Sequence, residues 1–370
     1  KMIKLEEKIH YEFAVEDMRA IIKNHPKLLD MEGLKIEDLD EIDILTTGGE
    51  LFVHTSKNEW SGSQESTIIS TLCARHFAEC GKQVFHMAPV LTEITIDTEN
   101  SIDIKFLELP YTTFYLVPPK MRLAYYSPSG KPCECKGIYV SDRLNSDMNT
   151  LAPDTMESIH NQYNEVFQAS GMKIERYIAM CFIGEKIKDT AWEFFPLASG
   201  NISDNLINYI ECKKKIEKFE VDVEDATITM WNWMIHFVVN SILYLNSSGY
   251  FHVEYTPNEY KKLKQQVEGK KSPKKLKKLI PKLNKCTQIK RKVVGLEYET
   301  SEMQEIYDQE NRSKRAHQVR GYFRKLKSER YTKMRGKSIL INPHWRGLKK
   351  KGMKVPEPSE LKKRIYEVDW

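Results

Sequence analysis

The 370-residue chain lacks an uninterrupted apolar run long enough to cross a bilayer. Its longest apolar stretch, Ile228 to Leu245, is broken by Asn232, His236, Asn240 and Ser241, which makes a membrane span too costly and a buried helix the expected outcome. The start, KMIKLEEKIHYEF, has no apolar segment of the kind that directs secretion, and seven cysteines without such a signal suit a reducing cytosol. Cys133 and Cys135 stand as C-x-C with no second Cys or His pair at zinc-finger spacing, so no metal site is expected. The Gly-x-x-x-x-Gly-Lys phosphate loop, the dinucleotide fingerprint and the helix-turn-helix pattern are also missing, and no cofactor is expected. Asp97, Glu99, Asp103 and Glu108 lack the strand-Asp then Glu-x-Lys order of a two-metal nuclease, and no catalytic residue is assigned.

An even distribution of charge is missing as well. Residues 1–255 hold 24 Lys and Arg against 39 Asp and Glu, a net −15, whereas residues 256–370 hold 33 against 13, a net +20. Aromatic residues, among them Tyr307, Tyr322, Phe323, Tyr331, Trp345 and Tyr366, interleave with the cations of the second part. That composition suits a surface that meets a polyanion, with nucleic acid the commonest one in a cell. The acidic body is an unsuitable partner for the same polyanion.

What is present reads as an α+β protein with a mostly antiparallel sheet covered by helices and a basic C-terminal segment containing a β-hairpin. Three regions are expected: an acidic body over residues 1–255, a basic linker-like segment over 256–300, and a basic hairpin region over 301–370. In the body, Met18, Ile21 and Ile22 recur at helical spacing before Pro26. Strand-like pieces follow at Ile42 to Leu45 and Leu51 to His54, separated by Gly48-Gly49. SGSQESTIISTLCARHFAECGK reads as a helix closed by Gly81, and residues 83–141 as an antiparallel meander of short strands that includes VFHMAPVL, ITID and IDIKFLEL. A helix over APDTMESIHNQYNEVFQASG, a central strand at Glu175 to Gly184 and a buried helix at Asp225 to Asn246 complete it. The lysine-rich run 261–292, broken by Gly269, Pro273 and Pro281, has the period of neither a packed strand nor a long amphipathic helix and is read as a solvated linker.

The candidate site lies in HQVRGYFR (317–324) and GKSILINPHWRG (336–347), two strand-like runs joined by KLKSERYTKMR. Parity puts Val319 and Phe323 on one side of the first run and Arg320, Tyr322 and Arg324 on the other, and it separates Ile339 and Ile341 from Ser338, Leu340 and Asn342 in the second. The expected result is an apolar side resting on the body and an outward side of arginine and aromatic residues. Arginine forks phosphate and stacks on bases, and tyrosine stacks too, which suits single-stranded nucleic acid. The nucleic-acid-binding set is therefore His317, Arg320, Tyr322, Arg324, Lys327, Arg330, His344, Trp345 and Arg346. His317 and His344 also raise a metal-independent ribonuclease, in which they would act as general base and acid. Strand-end histidines are more often structural, and the enzyme reading stays second.

Four blocks in order resemble the phage and plasmid family of the large type V-A anti-CRISPR inhibitor: ELPYTTFYLVPP (108–119), KGIYVSD (136–142), VVNSILYLNS (238–247), and HQVRGYFR followed by ILINPHWRG. The last is the most specific, with His317, Val319, Arg320, Gly321, Phe323, Arg324, Pro343, Arg346 and Gly347 at signature positions, and Tyr322 where a His is expected. The resemblance implies a mobile-element protein in the cytoplasm of a host bacterium that lowers production of a target nuclease. It implies recognition of a nascent polypeptide of that nuclease and association with RNA or the ribosome, so that the target mRNA is lost. The partners expected are thus a target protein, RNA or ribosome, and no membrane. A nucleic-acid-binding accessory protein is a third possibility.

Overall fold

The computed structural model describes residues 9–24, 36, 39–55, 62–98, 102–119, 123–126, 132–185, 190–216, 221–247, 252–255, 258–269, 272–296, 317–319, 322–325, 338–341 and 344–346. Three helices lead, α1 (His10–Asn24), α2 (Glu41–Thr55) and α3 (Gly62–Glu79), followed by β1 (Gln83–Met87), α4 (Pro89–Asp97) and β2 (Thr113–Val117). A small antiparallel ribbon, β3 (Ala124–Tyr126) and β4 (Pro132–Glu134), precedes β5 (Gly137–Ser141). Then come α5 (Leu144–Leu151), α6 (Pro153–Ala169), β6 (Ile174–Ile183), β7 (Ala191–Ala198), α7 (Ile202–Ile216), α8 (Val221–Leu245) and β8 (His252–Tyr255). A helical pair, α9 (Asn258–Glu268) and α10 (Pro273–Gln288), leads into β9 (Lys290–Val294).

The main sheet has seven strands in the order β7–β6–β5–β2–β1–β9–β8. β1 is parallel to both β2 and β9, and every other pairing in the sheet is antiparallel. The sheet is therefore mostly antiparallel and covered by helices, as the sequence pattern leads one to expect. Near-continuous apolar strands demand cover on both faces, and the register shows how it is supplied. Val84, Tyr115, Tyr139 and Cys181 form one row across four strands, buried against α1, α2, α3 and α5. Phe85, Leu116, Ile138 and Phe182 form the row on the opposite face, buried against α4, α7 and α8. On that second face Glu193 of β7 accepts from the Tyr163 hydroxyl at 2.7 Å and pairs with Lys213 at 2.5 Å. Lys213 also lies 5.2 Å above the Trp231 ring, so the buried Glu193–Lys213 pair ties α6, α7 and α8 to the sheet.

Several sequence expectations are corrected. The two strand-like pieces around Gly48-Gly49 are one helix, α2, in which Gly48 serves a helix contact rather than a turn. A Cβ on Gly48 would stand 2.6 Å from Met18 Cβ, so α1 crosses α2 at a point where only glycine fits. ITID lies in α4, which Pro89 opens from its first turn, and IDIKFLEL contains a single 3-10 turn at Ile104–Phe106. The meander is broken at its start, since β1 and β2 run parallel with α4 between them. The run read as a solvated linker forms α9, α10 and β9. Leu263 is buried while Lys262, Lys264, Lys274, Lys275, Lys277 and Lys278 are exposed, so the lysines sit on helices and not on coil.

The two adjacent glycines of α2 should respond oppositely to alanine. Gly48→Ala forces Cβ into Met18 and should lower stability by about 1–3 kcal/mol, the usual cost of overpacking. Gly49→Ala meets nothing nearer than Thr71 at 3.5 Å and should gain up to about 1 kcal/mol from helix propensity. Urea denaturation of both variants checks the sign of each.

Candidate functional site

Where β5 ends at Ser141 the chain turns into α5, and the corner between α5, α6 and the first residues of β6 opens into a cleft of ≈ 480 Å³. Asp142, Asn145, His160, Asn164, Glu175 and Tyr177 line it. α6 buries Met156, Tyr163 and Val166, which leaves His160 and Asn164 at the margin of the cleft. The His160 ring stacks on Tyr177 with centroids 4.5 Å apart and planes 17° from parallel. Its Nε2 lies 3.1 Å from Asn145 Oδ1, an arrangement in which Nε2 carries the proton and donates. Burial lowers the His160 pKa, so the ring is neutral at pH 7. Burial raises the Asp142 carboxyl more than the nearby Arg176 and Arg143 lower it. Arg176 itself donates to the Leu107 carbonyl at 2.7 Å, which commits the one arginine of the lining to a backbone partner.

A second groove, of ≈ 470 Å³, lies between α2, α3 and α5. Leu45, Ile68, Leu72 and Leu151 give it apolar walls, with Arg75 and Asp147 among its polar lining. Asp147 is bound by Arg75 at 3.3 Å and by His76 Nε2 at 2.6 Å, and Glu79 by Arg143 at 2.5 Å. His76 is fully buried, and burial lowers its pKa more than Asp147 raises it, so a neutral imidazole donates to the carboxylate and joins α3 to α5. Its Nδ1 is buried without a hydrogen-bond partner among the described residues. The dyad ties the groove's floor together through Asp147.

The expected nucleic-acid-binding residues fall on two short antiparallel pairs. β10 (His317–Val319) pairs with β13 (His344–Arg346), and β11 (Tyr322–Lys325) pairs with β12 (Ser338–Ile341), so the two runs do form a hairpin-like ladder. Arg320, Lys327 and Arg330 lie outside the described residues. His317 stands opposite Arg346 and His344 opposite Val319, so these four positions share one parity and Trp345, opposite Gln318, has the other. The register changes one expectation: Tyr322 pairs with Ile341 and Arg324 with Ile339, while Phe323 pairs with Leu340. Positions assigned to the outward arginine face thus share their parity with the isoleucines assigned to the inward one. Sequence reasoning on each strand alone fixes parity but not which parities meet. It also missed the cleft beside β6, whose residues come from three elements and the turn after β5 and carry no local motif.

The model of the anti-CRISPR type V subtype A2 family, described as AcrVA2-like, matches residues 85–328. A solved crystal structure of AcrVA2 is similar to the chain at 9% identity with a TM-score of 0.40, over 91% of this chain and 92% of that chain. No curated protein matches the chain.

The sealed histidines of the body generate a pH dependence. Burial pulls His10, whose Nδ1 is 3.2 Å from the Tyr139 hydroxyl, down to about 4, and burial followed by the Arg291 charge pulls His86 down to about 3. Both take up a proton near pH 6.5 when unfolded, so the unfolded state binds more protons below that pH. Stability is complete above about pH 6.5 and falls toward pH 4 by about 1.4 kcal/mol per pH unit for each histidine. Urea midpoints at pH 7 and pH 5 should show the loss, and His86→Gln should remove a large part of it.

Proposed function

Because the chain belongs to the anti-CRISPR type V subtype A2 family, whose model matches residues 85–328, we propose that it inhibits a type V-A nuclease at the level of synthesis, in the cytoplasm of the host bacterium. The body recognises a nascent polypeptide of the target, and the basic C-terminal region associates with RNA or the ribosome, so that the target mRNA is lost. The family match carries the anti-CRISPR part of this reading, and an anti-CRISPR protein implies a protein target. The charge split supports the rest. A net −15 over residues 1–255 repels phosphate, which leaves the body suited to protein, and a net +20 over residues 256–370 attracts it. A nascent chain lies near its own mRNA only during translation. A protein that holds both therefore acts on that message and spares others. No helix among the described residues is long and apolar enough to cross a membrane.

The reading is tested by co-expressing the chain with a type V-A nuclease gene and measuring nuclease mRNA. Loss of the mRNA is expected, and it should persist when the first codons are changed synonymously but vanish when a frameshift alters the encoded residues. Interference that is blocked at unchanged mRNA would overturn the reading. The full chain should also bind single-stranded RNA with a steep salt dependence: if ~4 to 6 phosphates are neutralised, log K falls with log salt at a slope of about −3 to −4. Replacing Arg320 and Arg324 by Ala should weaken that binding while moving stability by less than about 0.5 kcal/mol. Should the ribonuclease reading hold instead, purified protein would cut RNA in EDTA and lose the activity with His344→Ala.

A further inference from the structure

The ladder of the main sheet opens on one side of β6. β5 pairs with β6 from Gly137↔Ile183 to Ser141↔Ala179 and goes no further. β6 begins five residues earlier, at Ile174, and is paired with β7 on its other side up to Ile174↔Ala198. Residues 174–178 thus have a strand on one flank and, among the described residues, none on the other. Past Ser141 the chain leaves the sheet: Asp142 N donates to Thr112 O and Arg143 caps α5.

The backbone of Tyr177 points into that opening. Its register partner on β7 is Pro196, which has no N–H, so the Tyr177–Pro196 position is one where β6 and β7 exchange no ladder bonds. Antiparallel alternation then turns the N–H and C=O of Tyr177 to the β5 side. Ile183, of the same parity six residues on, confirms the direction, since its carbonyl accepts from Lys136 N at 2.8 Å on that side. The register shift between Ile174 and Arg176 adds a bulge at the mouth. The polar cleft of ≈ 480 Å³ lies over the same residues, with Asp142 and Glu175 as its carboxylates and the neutral His160–Tyr177 stack as an aromatic wall.

We propose that this cleft is a peptide-binding site, in which an extended polypeptide segment adds to β6 beside Tyr177 and places a Lys or Arg side chain between Asp142 and Glu175, against the His160–Tyr177 stack. Strand addition supplies affinity through main-chain hydrogen bonds, and the pocket selects the side chain. Two carboxylates and a ring face suit a cation and exclude a phosphate backbone. Five open residues at about 3.3 Å each leave room for three to four residues of a partner. The proposal rests on the reading that the body recognises a nascent polypeptide, and it names the site of that recognition.

Overlapping synthetic peptides from the N-terminal segment of a type V-A nuclease, labelled with a fluorophore, are titrated with the full chain by anisotropy. One peptide with a Lys or Arg should bind, and its affinity should fall about tenfold or more with Glu175→Lys, with Asp142→Asn, or when citrulline or norleucine replaces the peptide's cation. Single N-methyl groups along the peptide should weaken binding at alternate positions only, the period of a strand. Melting temperature confirms that each variant is folded; Glu175 is exposed and its substitution leaves the core untouched. A peptide that binds the wild type and both variants alike, or that shows no alternation, overturns this site while polypeptide recognition stands. Binding of no peptide also overturns the site, and the frameshift experiment then judges the recognition reading on its own.

Discussion

The parallel pairing of β9 with β1 is the contact that the rest of the molecule depends on. It joins residues 83–87 to residues 290–294 over five consecutive register pairs, so about two hundred intervening residues must fold between them. β9 inserts between β1 and β8, and the sheet is completed only when it arrives. Its inner residues, Val293 and Val294, are buried on opposite faces, and Arg291 is buried beside Glu12 of α1 at 3.1 Å. One strand of a lysine-rich region is thereby built into the acidic body. The helical pair α9–α10 projects from the β8–β9 corner as a consequence, with its lysines carried on a fixed base.

This anchoring also settles where the cations are spent. In the body they are consumed locally: Arg75 and Arg143 hold Asp147 and Glu79, Lys82 holds Glu41 at 2.6 Å, and Lys213 holds Glu193. What remains on the body is excess carboxylate. In α9 and α10 the described lysines are exposed with few acids nearby in sequence, so their field reaches solvent unscreened by neighbours. On the function proposed above, the division of charge along the chain corresponds to a division between a face for protein and a region for polyanion.

The elements that could be read from sequence were those with a single dominant signal. α3, α6 and α8 have long apolar periodicity, and β6 has seven consecutive apolar residues, so each was visible. α2 was hidden because Gly48-Gly49 is a turn signal in isolation, whereas in the fold Gly48 is a helix-packing site against Met18. α10 was hidden because Pro273 and Pro281 look like breakers, although Pro273 sits in the first turn, where its missing N–H costs nothing. The parallel register of β1 with β9 has no local signature at all, since pairing between strands two hundred residues apart is decided by the assembled core. The hairpin of residues 317–346 was legible as two runs, but the pairing of Arg324 with Ile339 is a property of register and not of either run. The cleft beside β6 was invisible for the same reason.

The position of the open ladder follows from how the sheet guards its borders. An exposed strand edge invites uncontrolled pairing, and proteins blunt it with proline or short strands. β7, at one border, carries Pro196, and β8, at the other, has only four residues. The open flank of β6 is interior instead, reached through a cleft walled by α5 and α6 and rimmed by carboxylates. The site proposed there asks for a single extended chain lying between α5 and α6 along residues 174–178. Among the forms a polypeptide takes, a nascent segment that has not yet folded meets that requirement, whereas the finished protein does not present its strands this way. Geometry at β6 would then explain timing: recognition during synthesis follows from the shape of the site, without any further device to sense translation.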